Sequence, residues 1–218
     1  MYTNEIRKIL TPSEKKMFQK LLTPQKIQDY LDTLPVNYEL AGETYMSPRR
    51  VLKAKTAHCF EGALFAAAAL AYHGHKPLLM DLRTAHTYED HVITLFSSEG
   101  GSASGGRKLW GAISKTNHPI LRYRDAVYRS PRELALSYFH EYVESDGKKA
   151  LREYSAPFDL ARLPPKRWVV ADDDLHFLVE RLDKSKHFPI APEKALRTLR
   201  DATRFERKAM DVVEWKKR

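Results

Sequence analysis

The pattern of polar and apolar positions changes character twice along the chain. The first third is broken by hydroxyl–proline pairs that read as helix starts. Thr11-Pro-Ser-Glu14 has the form of a capping box, with Thr11 at the N-cap, Pro12 at the first helical position and Glu14 at the third. Thr23-Pro24 precedes Ile27, Tyr30 and Leu31 at helical spacing, and Ser47-Pro48 opens a third short segment. The run from Cys59 to His73 is apolar nearly all round and rich in alanine, the best helix former, and Gly74 is a natural stop. It predicts a central, buried helix.

Beyond Gly74 the rhythm becomes strand-like. Pro77–Leu82 and His91–Phe96 are apolar runs with β-branched residues, Lys108–Ser114 resumes in the same style, and Ile120–Tyr123 predicts a further short strand. Ser97–Gly106 reads as a flexible turn, and strands so closely joined favour antiparallel pairing. Ser130-Pro-Arg-Glu133 is a second capping box, opening a helix to about Val143. Asp172-Asp-Asp174 predicts a helix with acids at its positive end, and Pro192-Glu193 a last helix rich in Lys and Arg with a frayed Lys216-Lys-Arg end. The expected fold class is α+β: a central Ala-rich helix on an antiparallel sheet with helices before and after it. One domain over 1–218 is expected, its core at about 43–145 and a helical extension at about 147–218.

Composition narrows the chemistry. Of 218 residues one is cysteine, Cys59, so an internal disulfide framework and a Cys-based zinc ribbon are excluded, and no metal or other cofactor is expected. The longest apolar run, Ala63–Tyr72 at ten residues, is short of the roughly 18 a membrane span needs. The polar amino end has no signal-peptide core, and the expectation is a soluble cytoplasmic protein with no membrane partner. The Ser97–Gly106 stretch lacks the Gly-Lys-Ser/Thr of a phosphate loop.

The single cysteine opens the most strongly predicted helix. A thiol there faces the positive end of the helix dipole and unpaired N–H groups, which favour thiolate and can hold an oxyanion. A small buried hydrophobe is the plainer reading of the same residue. A catalytic thiol needs a base, and nine histidines are available. His91 stands out at the start of a strand after a polar loop. His58 adjoins the thiol, but neighbouring side chains on a turn usually diverge. His73 and His75 lie at the far end of the helix. His86, His118, His140, His176 and His187 have no distinctive context.

A cysteine leading an Ala-rich helix, a histidine at a strand start and a Trp-containing strand, in that order, resemble the transglutaminase-like, papain-type cysteine-enzyme superfamily over about residues 43–125. Cys59-Phe-Glu-Gly-Ala is similar to the nucleophile helix, His91-Val-Ile-Thr-Leu to the histidine strand, and Leu109-Trp-Gly-Ala-Ile-Ser-Lys-Thr116 to the third strand. The resemblance implies Cys59 as nucleophile, His91 as its base and acyl transfer as the chemistry, with an amide, peptide or other small acyl substrate. The family usually carries Asp where this chain has Ser114. A serine can accept from the imidazole but cannot stabilise imidazolium by charge. Ser114, Asp90 or Asn117 is then the orienting residue, or the site is impaired.

Charge adds a second theme. Lys and Arg number 37 against 28 Asp and Glu, a net +9. Between residues 105 and 132, Arg107, Lys108, Lys115, Arg122, Arg124, Arg129 and Arg132 face one acid, Asp125, a net +6. This stretch follows the third strand. It points to an acidic substrate or, in the alternative, to a non-catalytic module that binds an acidic partner or nucleic acid through phosphate contacts. A solvated face of outward-pointing side chains explains it more simply.

Overall fold

In a computed structural model, which describes residues 2–40, 42–85, 89–99 and 106–216, the hydroxyl–proline pairs start helices. Helix α1 spans Tyr2–Ile9, α2 Pro12–Lys20, α3 Pro24–Asp32, α4 Pro48–Ala54 and α5 Cys59–Tyr72. The Thr11 hydroxyl accepts the Glu14 amide at 3.3 Å while the Glu14 carboxylate accepts the Thr11 amide at 2.7 Å, a closed capping box. Thr23 and Ser47 accept the amides of Lys26 and Arg50 in the same way. Helix α5 ends at Gly74, whose φ of +95° suits glycine.

Among the described residues seven strands form one antiparallel sheet: β1 Leu78–Thr84, β2 His91–Glu99, β3 Lys108–Ile113, β4 Arg124–Tyr128, β5 Leu151–Ser155, β6 Phe158–Asp159 and β7 His187–Pro189. Their spatial order is β4-β3-β2-β1-β5-β7, with β6 also on β1. The architecture is α+β, and the sheet divides two cores. Leu79, Val92, Phe96 and Ile113 join the cluster around α5, while Met80, Leu82, Ile93, Leu95 and Ala112 join one built with Leu134, Ala135 and Tyr138 of α6, Pro131–Phe139. This is the period-2 alternation of a sheet covered on both faces. Helix α5 packs on β2 and against α1, α3 and α4. Ala63, Ala66–Ala69 and Ala71 are all fully buried, because small side chains let neighbours approach a helix from every side. The Thr94 hydroxyl of β2 donates to the Ala63 carbonyl at 2.6 Å, fixing the helix on the strand that carries His91.

Several local expectations give way to tertiary contacts. Strand β2 continues through Ser97–Glu99, paired with Lys108–Trp110, so the predicted turn begins later; residues 100–105 lie outside the described residues. The strand expected at Ile120–Tyr123 is a 3₁₀ turn at Pro119–Leu121 followed by β4, since Pro119 sets a turn-like φ and cannot donate to a ladder. Helix α6 stops at Phe139, and Val143 bridges to Lys149. The acids 172–174 do not start a helix. Helix α7 begins at His176 and runs to Asp183, and the Asp174 carboxylate accepts the Tyr45 amide at 2.8 Å and the Arg50 guanidinium at 2.7 Å. Residues 147–218 are not a helical extension alone, because they supply β5, β6 and β7 to the sheet. The single last helix is replaced by two four-residue helices, α8 Glu193–Leu196 and α9 Arg204–Arg207. Leu196, Leu199 and Met210 pack on the second core, whereas Phe205 is 80% exposed. Among the described residues no helix is long and apolar enough to cross a membrane.

Gly62, in the first turn of α5, permits a close crossing: a Cβ there would sit 2.3 Å from the Lys115 Cβ, just after β3. Gly62→Ala is therefore expected to destabilise the protein by about 1–3 kcal/mol through overpacking, read as a lower urea midpoint at unchanged slope.

Candidate functional site

The site grows from the amino end of α5. Cys59 is its first residue and is partly exposed, and His58 is the N-cap, in extended conformation (φ −93°, ψ −173°). The first bond of the helix ladder runs from the Gly62 amide to the His58 carbonyl at 2.9 Å, so amides of the first turn are left outside the ladder. The imidazoles of His58 and His91 both stand near enough to the thiol to stabilise its thiolate. Burial alone would raise its pKa, but the hydrogen bonds from His58 and then His91, with their charge, pull it down to about 5. Burial likewise acts to lower His58. The Cys59 bond and charge, the Glu61 carboxylate and the Thr44 carbonyl outweigh it, and the imidazole is raised to about 9. The two shifts describe one thiolate–imidazolium pair.

His91 opens β2 and is buried. Its Nε2 lies 2.6 Å from the Ser114 hydroxyl, leaving Nδ1 as the ring nitrogen for the thiol. Ser114 is fully buried just beyond β3 and is gripped from α3. The Gln28 side chain accepts the Ser114 amide at 3.0 Å and donates to the Ser114 carbonyl at 2.9 Å, imitating a neighbouring strand. The next residue, Lys115, is also fully buried, and its ammonium donates to the carbonyls of Leu31 and Leu34 at the end of α3. That position suits a cation at a helix C-terminus.

Two residues named beside Ser114 are engaged elsewhere. The Asp90 carboxylate accepts the Thr84 amide at 2.7 Å and the Thr84 hydroxyl at 3.2 Å. Asn117 holds the C-terminal segment, donating to the Trp215 carbonyl and accepting the Trp215 amide, each at 2.8 Å. Cys59, His91 and Ser114 are thus brought together, and Asp90 and Asn117 are not joined to them. His58, expected to diverge, meets the thiol because an extended N-cap residue turns its side chain back over the first turn.

Glu61 is the main polar residue the sequence reading left unweighted. Its carboxylate is fully buried and accepts from the Met46 and His58 amides at 3.0 Å, the Thr44 hydroxyl at 2.8 Å and the Asn37 amide group at 3.2 Å. It ties the 37–46 segment to the first turn of α5. The spacing of an acid three residues after an N-cap was a readable capping sign; its reach into a distant loop was not.

The basic stretch 105–132 is largely spent internally. Lys115 is buried, Arg122 pairs with Asp32 and Glu214, and Arg124 pairs with Glu141 and lies over the Tyr138 ring. A guanidinium of Arg132 donates to the Ile190 carbonyl. Neither a solvated face nor a free cationic surface describes these four. Cys59, His58 and His91 instead open on a cleft of about 1240 Å³. Among the described residues no group of three or more His, Cys, Asp or Glu is arranged to hold a metal. His86 lies outside the described residues.

No protein-family model matches the chain, and no curated protein matches it. Glu61→Ala is expected to cost about 3 kcal/mol or more, since it leaves several buried donors without an acceptor. The same variant should raise the Cys59 pKa, as His58 loses a charge that supports its protonation. Denaturant unfolding and thiol alkylation against pH read the two effects.

Proposed function

We propose that the protein is a cysteine-dependent acyl-transfer enzyme of transglutaminase-like type, an amide or peptide hydrolase or an acyltransferase. The observation that carries this reading is the buried His91, bonded through Nε2 to Ser114 and facing the lone thiol at the start of α5. The ordered resemblance of the three sequence segments supports it from a separate direction. In this reading the Cys59 thiolate attacks a substrate carbonyl, and first-turn amides of α5 hold the oxyanion. His91 gives its Nδ1 proton to the leaving group, and water or an amine resolves the thioester. Ser114 orients the ring without sharing its charge, so His58 supplies the second cation beside the thiolate. A free catalytic thiol suits a reducing, cytoplasmic setting.

The thiol's lowered pKa fixes the sign of the pH dependence. Thiolate persists above about pH 5 and is lost as pH falls through it, whereas a free thiol deprotonates near 8.5. Iodoacetamide alkylation should therefore show a midpoint near pH 5 that moves upward in His58→Ala and in His91→Ala. With p-nitrophenyl acetate as acyl donor, we expect a burst of p-nitrophenolate, absent in Cys59→Ala and slowed about 10²–10⁴-fold in His91→Ala. A free-thiol alkylation profile together with no burst overturns the reading.

A further inference from the structure

The wall of the Cys59 cleft that belongs to the body of the protein is acidic, contrary to the charge of the chain as a whole. Glu39, Glu89, Asp90 and Glu144 line it; Glu39 lies 3.7 Å from the His58 imidazole, and among the described residues none of the four pairs with Lys or Arg. Burial, then the charges of Asp146 and Glu89, raises the Glu144 pKa. The body's one lysine in the cleft, Lys115, turns its ammonium away to the end of α3. The nearby imidazoles answer the thiolate.

The opposite wall is the C-terminal segment, which crosses the mouth as a strap. At one end the Ala202 amide donates to the Gly147 carbonyl at 2.8 Å and Arg207 to the Ser145 carbonyl at 2.7 Å. At the other, Trp215 is held by Asn117 and by the Tyr38 hydroxyl, and the adjoining Glu214 pairs with Arg122. Between these anchors Arg204, Arg207 and Lys208 face into the cleft, with Asp211 the one acid of the strap beside them. Among the described residues no ion pair joins these three cations to the carboxylates of the body wall. The strap also fits badly. His118 Nδ1 beneath it, and Arg207 Nε and Trp215 Nε1 within it, are buried without a hydrogen-bond partner. Each forgoes a bond it would make in water, which favours lifting the strap.

We propose that the Cys59 cleft takes a cationic acyl substrate, a polypeptide segment or amide bearing a Lys- or Arg-like charge, and that residues 200–215 occupy its place as a displaceable strap that turns Arg204, Arg207 and Lys208 to the cleft. The substrate assignment rests on the acyl-transfer reading. The charge preference and the strap do not.

Because Cys59 is the only cysteine, methanethiosulfonates report on this cleft alone. The full-length protein is treated with the trimethylammonium-ethyl, sulfonatoethyl and uncharged methyl reagents, each rate being divided by that of a small free thiol. We expect the cationic reagent to lead the anionic one by about tenfold, the ratio falling toward one in Glu89→Gln/Glu144→Gln and at about 0.5 M salt. The uncharged reagent should be unaffected by the Gln pair, which checks folding and the thiol itself. The triple variant Tyr38→Phe/Asn117→Ala/Glu214→Gln, which removes the side-chain bonds that hold Trp215 and the ion pair beside it, should speed all three reagents. A ratio at or below one, or one that the Gln pair leaves unchanged, overturns the acidic-mouth assignment. Unchanged rates in the triple variant overturn the strap. The pH profile of the uncharged reagent reads the thiol separately, so failure of the acyl-transfer reading is distinguishable from failure of this one.

Discussion

The amino end of a fully buried helix is the constraint on which the rest depends. Helix α5 is surrounded by α1, α3, α4 and the sheet, so beyond Cys59 at the cleft its first turn is buried and the polar groups around it need partners within the protein. Glu61 answers part of that need by bonding both the helix start and the 37–46 segment. A carboxylate so buried is tolerable only because it is surrounded by donors. The loop it captures brings the Thr44 carbonyl to His58 at 2.7 Å, which fixes Nε2 as a donor and turns the other ring nitrogen toward the thiol. The requirement that buries the helix end thus also prepares the cysteine.

The second support comes from across the sheet. Ser114 holds His91 through a neutral hydroxyl, which offers direction but no charge. Its position is over-determined instead: Gln28 binds both backbone groups of Ser114, and Lys115 anchors the next residue to the end of α3. Helix α3 therefore acts as a clamp on the residue that orients His91. The charge of the His58 imidazole acts on the thiol independently of Ser114.

Electrostatics at the cleft differs from what the net charge suggests. The +6 within 105–132 is a sum over side chains that serve separate ends: one buries itself under a helix, two close ion pairs, another donates to a carbonyl. A linear count cannot register partners such as Glu214 and Glu141, which lie far along the chain or in another element. The field at a site follows the charges left uncompensated there.

Much of this was legible in the sequence. Caps at Thr11, Thr23, Ser47 and Ser130 are local chemistry, formed between residues three apart, so spacing alone locates the helices. The Ala-rich run declares a buried helix because no other face would tolerate it, and the order Cys59, His91, Ser114 named residues that do meet. What remained hidden is non-local. The pairing of β5 with β1, the breaking of the last helix, the capture of Asp90 by Thr84 and of Asn117 by Trp215 depend on contacts between distant segments. So does the role of His58, whose direction is decided by a loop fourteen residues earlier in the chain. Sequence by itself determined which elements form and which thiol heads the central helix, since those follow from propensities and short-range bonds. Only the tertiary structure decided which histidines face that thiol and which charges line its cleft, because these rest on long-range hydrogen bonds and ion pairs that no local pattern encodes.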